Sequence, residues 1–382
     1  MFTSKFRPAA ASRQLRFRIR GPEPDGLHRP WQDRLWGRQD GHAPWLTKPE
    51  RSTSRRFPTK SPHRIPREQC SPRLFLAEPP FTFLLAEFMS LKNYNGHSMV
   101  AALRRVVVCS PRNAGWNCNQ RVSCWRELGF SHPPEFEAAQ AQHEALCREL
   151  EECGAEILNL PGSSQFSLDA VYAHDAALPT DYGLILMRPG KCSRVQEVQA
   201  HREFCQALEI PVLGEIKPPG TTEAGDMVWL DSKTLMIGHG YRTNASGIAQ
   251  MRELLADRSV QVIAAPLPYG SGPSACLHLM SLMSLLDEQT VLIDLPWLAV
   301  ETVELLRSRG FRLLENDPSE RETLACNVLS LSGKRLLALE ENRRTNQRLR
   351  GAGFDVRTFR GSELCINGSG GPTCLTRPLL RI

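Results

Sequence analysis

The alternation of apolar and polar positions becomes regular near Met99 and predicts a series of similar units in the remainder of the chain. Each unit contains a segment with apolar residues at helical spacing, which is typical of an amphipathic helix. The starts of these segments lie 62, 50, 53 and 42 residues apart. Recurrence at about 50 residues indicates a repeat architecture. The predicted helices are Pro133–Glu152, Val195–Leu208, Ala245–Leu255, Leu298–Arg309 and Glu340–Gly351.

Short apolar strands accompany these helices. One strand follows each helix, and a pair of strands precedes four of the five helices. Turns such as Asp231-Ser232-Lys233 and Ser332-Gly333-Lys334 favour hairpins within the pairs. The strands that follow the helices are predicted at Ala155–Leu160, Pro211–Glu215, Val260–Ala265, Phe311–Glu315 and Phe354–Phe359, and the strand pairs within Ala170–Met187, Met227–Gly238, Leu279–Ile293 and Asn327–Leu339.

The first unit differs because a single strand, Arg105–Ser110, precedes its helix. The last predicted strand of the chain, Thr373–Leu380, is a candidate for the missing one, and its pairing with the first strand would close a ring. We therefore predict an α/β fold of five ββαβ units around a pseudo-fivefold axis. A dinucleotide-binding fold is disfavoured, since no Gly-x-Gly-x-x-Gly motif follows a strand.

Charge and proline content separate residues 1–98 from this regular part. The first hundred residues carry 18 basic and 8 acidic side chains and 12 of the 28 prolines, whereas the remainder has a net charge of −4. We predict a disordered N-terminal extension over residues 1–98 and one catalytic domain over residues 99–382. A transit peptide, a solvated tail and an untranslated stretch before a later start at Met89 or Met99 all fit this composition.

Composition excludes several classes of protein. No apolar run reaches the roughly 18 residues that a membrane span needs. The twelve cysteines show neither a Cys-x-x-Cys pair nor zinc spacing, and no secretory signal precedes them. We therefore expect reduced thiols, a cytoplasmic protein and no metal or organic cofactor.

Two segments carry carboxylates that a core does not explain. Asp169 and Asp175 are six residues apart, and on a strand this even spacing would place them on one face. Glu223 stands on a glycine-containing turn that leads into an apolar strand. The structural alternative is that the aspartates form turns and that Glu223 is solvated.

Two further segments carry groups suited to covalent catalysis. His278 interrupts an apolar stretch that is predicted to be a strand, and Cys374 follows a Gly-Gly turn near the end of the chain. A cysteine nucleophile needs a nearby proton carrier, and histidine serves this role best at neutral pH. The alternative is a buried core histidine and a buried cysteine, which are the more common fates of these residue types.

Taken together, these segments resemble the superfamily of guanidino-group-modifying enzymes with the five-bladed pentein fold. The superfamily includes arginine deiminases, amidinotransferases and dimethylarginine dimethylaminohydrolases, and the chain is most similar to the last of these in their bacterial form. The resemblance covers residues 100–382. It rests on Asp169-Ala-Val-Tyr-Ala-His-Asp175, Arg188-Pro-Gly-Lys-Cys-Ser-Arg194, Pro219-Gly-Thr-Thr-Glu-Ala-Gly-Asp226, Arg242-Thr-Asn-Ala-Ser-Gly247, Leu277-His-Leu279, Ala325-Cys-Asn327 and Gly370-Gly-Pro-Thr-Cys374.

The resemblance implies a role for each of seven residues. They are Cys374 as the nucleophile, His278 as the general acid and base, Glu223 and Asp175 as the carboxylates that bind the guanidinium, Arg194 and Arg242 as the arginines that bind the substrate carboxylate, and Asp169 as an acid near the mouth of the site. Two positions depart from the family pattern. His174 stands where an acid is often found, and Met280 stands where arginine deiminases carry an aspartate.

The function implied by this resemblance is hydrolysis of N-methylated arginine. Dimethylarginine would give citrulline and dimethylamine through a covalent thiouronium on Cys374. The expected partner is a small guanidino compound, and a homodimer is compatible with the sequence. The alternatives are an arginine deiminase, an amidinotransferase and a non-catalytic pentein that binds a partner. Nucleic-acid binding through the basic extension is disfavoured, because basic tails are commonly only solvated.

Overall fold

The computed structural model describes residues 93–382 except Ser274 and Cys276. Residues 1–92 of the predicted extension lie outside the described residues, and the domain boundary after residue 98 stays a prediction. Within the described part, no helix is both long and apolar enough to cross a membrane. The ten cysteines of this part are free thiols.

Fifteen strands and eight α-helices follow one another in the described chain. The strands are β1 Leu103–Val108, β2 Glu156–Asn159, β3 Ala177–Thr180, β4 Gly183–Leu186, β5 Val212–Glu215, β6 Met227–Asp231, β7 Thr234–His239, β8 Gln261–Pro266, β9 Met283–Leu285, β10 Thr290–Ile293, β11 Arg312–Glu315, β12 Leu329–Ser332, β13 Arg335–Leu339, β14 Asp355–Phe359 and β15 Thr376–Arg381. The helices are α1 Asn119–Val122, α2 Trp125–Leu128, α3 Phe136–Glu152, α4 Val195–Ala207, α5 Ala245–Leu255, α6 Leu279–Leu282, α7 Val300–Ser308 and α8 Arg343–Gly351. Single turns of 3₁₀-helix lie at Leu168–Val171, Cys192–Arg194, Ala224–Asp226, Ala256–Arg258, Leu295–Trp297 and Pro318–Glu320, and a π-helical turn lies at Ser362–Ile366.

The strands form five three-stranded sheets with the same pairing pattern. In each sheet the middle strand pairs antiparallel with one neighbour and parallel with the other. The sheets are β15-β1-β2, β3-β4-β5, β6-β7-β8, β9-β10-β11 and β12-β13-β14. The predicted mixed α/β fold of repeated small sheets is therefore confirmed, and so is the pairing of the last strand with the first.

Burial of the middle strands and of one face of each long helix forms the core. All four residues of β4 and of β10 are buried, as expected for strands covered on both faces. In α3 the buried residues recur every three or four positions, at Ala139, His143, Leu146 and Leu150. This spacing lays one stripe of the helix on the core, as the sequence pattern predicts.

Two local predictions are wrong. His278 does not lie within a strand, because it caps the short helix α6, where its backbone N–H donates to the Ser281 hydroxyl at 3.2 Å. Asp169 and Asp175 do not alternate along a strand either. Asp169 lies in the 3₁₀ turn Leu168–Val171, and Asp175 lies in the turn that precedes β3. In both places short-range backbone hydrogen bonds decide the conformation, and apolar periodicity does not report them.

Residues 93–98 contact the folded domain although they precede the predicted boundary. The Asn95 side chain bonds the backbone of Arg381 through both of its polar atoms, at 2.5 and 2.9 Å. The His97 ring stacks on Trp229 with ring centroids 3.9 Å apart, and its Nδ1 lies 3.0 Å from the Ser232 carbonyl oxygen. This short segment therefore ties β15 to the β6–β7 hairpin.

A truncation at this segment should separate its contribution from that of the preceding residues. A fragment that begins at Asn93 should unfold with the same midpoint as the full chain. A fragment that begins at Met99 should lose about 2–4 kcal/mol of unfolding free energy, because the hydrogen bonds of Asn95 to β15, the hydrogen bond of His97 to the Ser232 carbonyl and one ring stack disappear. Urea unfolding of the three proteins measures this, and equal stability of the two fragments would contradict it.

Candidate active site

Six of the seven predicted site residues line one cavity of about 350 Å³. We call it the active cavity, and its predicted lining residues are Asp169, Asp175, Arg194, Arg242, His278 and Cys374. The seventh residue, Glu223, lies directly behind His278 and is fully buried. The fold thus brings together residues that are separated by up to about two hundred positions in the chain.

Four of these residues hold equivalent positions in the structural repeat. Each stands in the segment that leads into the outer antiparallel strand of a different sheet. Asp175 precedes β3, Glu223 precedes β6, His278 precedes α6 and β9, and Cys374 precedes β15. Because the five sheets share one topology, their entering segments deliver these side chains to a common region.

A short hydrogen bond joins Glu223 to His278. The Oε2 atom of Glu223 lies 2.7 Å from Nε2 of His278, and Oε1 accepts the Gly190 N–H at 2.9 Å. Burial alone would raise the pKa of Glu223, but the hydrogen bond and the charge of His278 lower it. Glu223 is therefore a buried carboxylate that orients the histidine ring and favours its protonated form.

Asp175 is held on both of its oxygens. Oδ1 accepts the Gly225 N–H at 2.9 Å, and Oδ2 accepts Nη1–H of Arg194 at 2.5 Å. Burial would raise the pKa of Asp175, but the charges of His278 and Arg194 outweigh burial and lower it. Gly225 is required here, because a Cβ at this position would lie 2.4 Å from Nδ1 of His278.

The guanidinium of Arg194 is already paired within the protein. Nε donates to both oxygens of Glu197 at 3.0 and 3.1 Å, and Nη2 donates to the Tyr172 carbonyl at 2.8 Å. Burial would lower the pKa of Arg194, but the carboxylates of Glu197 and Asp175 raise it well above its usual value. Arg194 thus lines the active cavity as a cation with several of its donors engaged.

Asp169 and Arg242 each form one ion pair at the rim of the site. The Asp169 Oδ2 atom lies 2.5 Å from Nζ of Lys191. The Arg242 Nη1 atom lies 3.5 Å from Oε1 of Glu223, and its Nη2 donates to the Ala275 carbonyl at 3.5 Å. These two contacts to Arg242 are longer than the contacts of Arg194 to Asp175 and Tyr172.

The segment that carries Cys374 is tied to the segment that carries Asp175. The backbone N–H of His174 donates to the Cys374 carbonyl at 3.1 Å, and Nδ1 of His174 lies 2.8 Å from the Thr376 carbonyl. Arg377 donates from Nη1 to the His174 and Ala177 carbonyls at 3.1 and 2.9 Å. These bonds fix the position of the thiol relative to the carboxylate.

The ring of His174 faces away from the active cavity. It lines a separate cavity of about 30 Å³, which we call the inner cavity, together with Met280 and Arg377. Burial and then the charge of Arg377 lower the pKa of His174 to about 3. His174 is therefore neutral near pH 7, and Nδ1 carries the proton that the Thr376 carbonyl accepts.

Among the described residues, one group of side chains has atoms close enough to hold a metal ion. Ligand atoms of Asp175, Glu223 and His278 lie within 4.8 Å of one another. Both carboxylates already pair with a cationic side chain, Asp175 with Arg194 and Glu223 with Arg242. This pairing, with two arginines beside the cluster, suits a hydrogen-bonded organic cation better than a metal ion.

Several polar residues that contact the site carry no predicted role, and three of them bond the predicted site residues directly. Glu197 pairs with Arg194, Lys191 pairs with Asp169, and Nδ2 of Asn327 donates to Sγ of Cys374 at 3.1 Å. Lys191 and Asn327 stand inside stretches that carry the family resemblance, which is a usable signal. Glu197 has no such signal, because its partner is apparent only once the chain folds.

Comparison with known proteins identifies the family. A profile of the arginine deiminase family matches residues 167–310 and 310–381, which together span more than half of the chain. The chain belongs to the arginine deiminase family. Members of this family act as hydrolases on guanidino C–N bonds, and the predicted enzyme class is confirmed at that level.

Two of the relatives are named for different activities. The chain is 28% identical over 243 residues to N(G),N(G)-dimethylarginine dimethylaminohydrolase of Pseudomonas aeruginosa, across 64% of this chain and 89% of that protein. It is also 28% identical over 190 residues to an arginine deiminase of Mycobacterium avium, across 42% of this chain and 46% of that protein. The predicted superfamily is therefore confirmed, and both activities have relatives within it.

Solved structures of related enzymes share the mixed α/β fold of the described chain. A cysteine-to-serine mutant of the dimethylarginine dimethylaminohydrolase from Pseudomonas aeruginosa, complexed with citrulline, aligns with a TM-score of 0.59 at 26% identity and covers 72% of this chain and 99% of that one. An amidinotransferase from Microseira wollei aligns with a TM-score of 0.62 at 16% identity, over 75% of this chain and 97% of that one, and this likeness shows the fold alone.

Acidification should destabilise the protein through His174. Its folded pKa lies near 3, whereas an unfolded histidine titrates near 6.5, so below pH 6.5 the unfolded state binds a proton that the native state refuses. The free energy of unfolding that comes from keeping His174 neutral is fully present above pH 6.5 and is lost as the pH falls toward 3. At pH 5 the loss is about 2 kcal/mol.

The variant His174→Asn should remove that part of the pH dependence, because asparagine retains a donor near Nδ1 and cannot titrate. Urea unfolding at pH 7 and pH 5 compares it with the wild type. His143→Gln is a parallel test, because burial lowers the pKa of His143 to about 4, and this change on α3, away from the active cavity, should remove a further, similar part of the pH dependence. A wild type and a His174→Asn variant with the same change between pH 7 and 5 would contradict the assignment.

Proposed function

We propose that the protein hydrolyses N-methylated arginine, converting dimethylarginine to citrulline and dimethylamine. The observation that carries this proposal is the convergence of Cys374, His278 and Asp175 from three separate sheets on one cavity, with Glu223 of a fourth sheet bonded to His278 behind it. A relative named for dimethylarginine hydrolysis, matched over 89% of its length, supports the choice of substrate.

We also propose that the five sheets are the blades of a propeller around a pseudo-fivefold axis. Their identical pairing pattern supports this arrangement, as does the equivalence of the segments that carry Asp175, Glu223, His278 and Cys374. In such a ring these segments meet near the axis. The site then depends on closure of the ring by β15 and β1.

Substrate binding starts from charge and shape. A guanidinium is a planar cation with N–H groups along its edges, and carboxylates accept from such edges in pairs. Asp175 lines the active cavity and is the carboxylate proposed to hold it beside Cys374. Glu223, to which the resemblance also assigns guanidinium binding, lies behind His278 and contributes its negative charge from there. By localising positive charge on the guanidinium, they make its central carbon easier to attack.

Hydrolysis then proceeds in two halves. The Cys374 thiolate forms a C–S bond to the guanidinium carbon, His278 donates a proton to the dimethylamino nitrogen, and the C–N bond breaks to release dimethylamine. A thiouronium remains on Cys374. His278 next takes a proton from water, the oxygen attacks the same carbon, and the C–S bond breaks to release citrulline and the thiolate. One water is consumed, its second proton passes to solvent, where the released dimethylamine takes it up, and His278 ends in its starting protonation state.

Met280 favours an alkylated substrate over arginine. Arginine deiminases resemble this chain but carry an aspartate at this position, which supplies a further acceptor for an unsubstituted guanidinium. Met280 is buried and lines the inner cavity instead. Arginine deimination remains the second candidate, because an arginine deiminase of Mycobacterium avium is 28% identical to the chain.

A substrate panel tests the proposed activity. The purified chain is incubated with asymmetric dimethylarginine, monomethylarginine, arginine, and arginine plus an amine acceptor, with and without EDTA. Citrulline and dimethylamine should form in equal amounts from dimethylarginine, at a kcat/KM at least about tenfold above that for arginine, which corresponds to ~1.4 kcal/mol. EDTA should have no effect. A preference for arginine would replace the proposal with deimination.

The variant Cys374→Ser should fold normally and lose nearly all turnover, because a hydroxyl is a far weaker nucleophile than a thiolate at neutral pH. Mass spectrometry of wild-type enzyme quenched during turnover should find added mass on the peptide that contains Cys374. Exposed Cys124 and Cys192 provide the internal control and should stay unmodified. Turnover by Cys374→Ser, or an adduct on another cysteine, would overturn the proposed mechanism.

Arg242 and Arg194 are proposed to bind the substrate carboxylate. The variant Arg242→Ala should raise KM by roughly tenfold to hundredfold, which is the loss of one charge-assisted hydrogen bond, and should change kcat little. The comparison variant Arg194→Lys keeps the charge but loses the fork that holds Glu197 and Asp175, so it should lower kcat as well. An unchanged KM for Arg242→Ala would remove that residue from the site.

The remaining predictions from the sequence stay open. A cytoplasmic location stays a prediction. A homodimer and the lack of nucleic-acid binding have no support beyond the sequence. The proposed partner is a small guanidino compound, in line with the citrulline complex of a structural relative.

A further inference from the structure

The amide of Asn327 lies between the proposed nucleophile and the turn that carries it. Nδ2 donates to Sγ of Cys374 at 3.1 Å, and Oδ1 accepts the backbone N–H of Thr373 at 2.9 Å. The side chain lines the active cavity and the residue is only 5% exposed. Asn327 is therefore a buried amide that contacts the reacting sulfur directly.

The orientation of this amide follows from its second partner. The backbone N–H of Thr373 can only donate, so the amide atom that faces it is the oxygen. The nitrogen must then face Sγ of Cys374. An N–H group is thus aimed at the sulfur, and such a donor favours the thiolate, which is the better acceptor, over the thiol.

Two unusual backbone features place Asn327 there. Leu324 has a positive φ of 64°, which is rare for a residue with a large side chain, and its carbonyl accepts the Asn327 N–H at 2.9 Å. Across the site, a Cβ on Gly371 would lie 2.6 Å from Cγ and Oδ1 of Asn327. The strained turn at 324–327 positions the Asn327 side chain, and the absence of a side chain at Gly371 leaves room for it. Together they allow the Asn327 amide to reach the turn that carries Cys374.

The structural repeat gives an independent reason to assign a role here. Asp175, Glu223, His278 and Cys374 each precede the outer antiparallel strand of one sheet. Asn327 precedes β12, which is the same strand of the fifth sheet. The position that the sequence leaves without a role is thus equivalent to four positions that carry proposed site residues.

We propose that Asn327 is a catalytic residue that stabilises the thiolate of Cys374 by donating a hydrogen bond to Sγ. The proposal rests on the proposed function, in which Cys374 is the nucleophile. The bond acts at two points of the reaction. It raises the fraction of thiolate before attack, and it stabilises the negative charge that returns to sulfur when the C–S bond of the thiouronium breaks.

Brønsted behaviour gives the proposal a distinctive signature. Loss of the donor should raise the apparent thiol pKa by about one unit, which lowers the thiolate fraction about tenfold at pH 7. A more basic thiolate is also more nucleophilic, by about threefold per unit. Alkylation of the variant should therefore be about threefold slower than wild type at pH 7 and about threefold faster at a pH above both pKa values.

Iodoacetamide alkylation from pH 6 to 10, followed on the Cys374 peptide by mass spectrometry, measures this directly. Asn327→Ala should give a profile that crosses that of the wild type. Asn327→Asp keeps the size and the acceptor for Thr373, and it should shift the inflection further upward, because a carboxylate repels the thiolate. Asn327→Asp also provides the test if Asn327→Ala fails to fold.

The control is Asn346→Ala, which removes a buried amide that bonds the Leu339 carbonyl from α8, outside the active cavity. It should lower stability and leave the Cys374 profile unchanged. The exposed cysteines Cys124 and Cys192 should keep their own profiles in every variant. A shift of about 0.3 pH units in the inflection corresponds to a twofold change in the thiolate fraction, which the measurement can resolve. Inflections of both Asn327→Ala and Asn327→Asp that lie within this distance of the wild-type inflection would overturn the proposal.

This experiment needs no substrate, so its outcome is separate from that of the proposed function. Crossing profiles together with full turnover by Cys374→Ser would keep the role of Asn327 at the thiol and discard Cys374 as the nucleophile. Parallel profiles together with a Cys374 adduct during turnover would keep the proposed function and discard Asn327. With both proposals correct, Asn327→Ala lowers kcat at pH 7 and leaves KM nearly unchanged.

Discussion

The structure depends on the complete burial of the Glu223 carboxylate, which leaves this charge without contact to water. A buried charge is tolerated only when it is paired and hydrogen-bonded. Glu223 obtains its partners from three other segments of the chain: His278 at 2.7 Å, the Gly190 N–H at 2.9 Å and Arg242 at 3.5 Å. These segments come from different units of the repeat, so the ion-pair network can form only when the units have assembled. The active cavity therefore forms only when these units of the fold have assembled.

The same constraint extends through Asp175 and Arg194. Asp175 shares Arg194 with Glu197, and the three groups are almost fully buried. Removing one partner from such a set leaves an uncompensated charge, which commonly costs about 3–5 kcal/mol. Residues around the cavity therefore contribute both to catalysis and to the stability of the fold. Truncation of such a residue to alanine changes activity and stability together. Variants that preserve size, and readouts at the sulfur itself, separate them.

The sequence predicts the long elements well and the short ones poorly. Helix α5 has the predicted bounds Ala245–Leu255, because one continuous apolar stripe defines it. The His278 segment was mispredicted as a strand, because a capping box decides its conformation. The even spacing of Asp169 and Asp175 does not place them on a strand, because Asp169 lies in a 3₁₀ turn. Asp169 nevertheless lines the active cavity. The partner of Arg194 on α4, Glu197, could not be predicted, since side-chain pairing in the core depends on how the units pack.

Both departures from the family pattern lie behind the active cavity. His174 and Met280 line the inner cavity and are absent from the lining of the active one. His174 therefore does not replace an acid in contact with the substrate; its ring instead bonds the Thr376 carbonyl next to the proposed nucleophile. Under the proposed function, the N-alkyl groups would be left to apolar side chains that do line the active cavity, among them Leu128, Leu277 and Leu324. Methyl groups pack well against an apolar surface, because neither side needs a hydrogen bond. The same surface disfavours the unsubstituted nitrogens of arginine, because their N–H groups would lose their hydrogen-bond partners on burial.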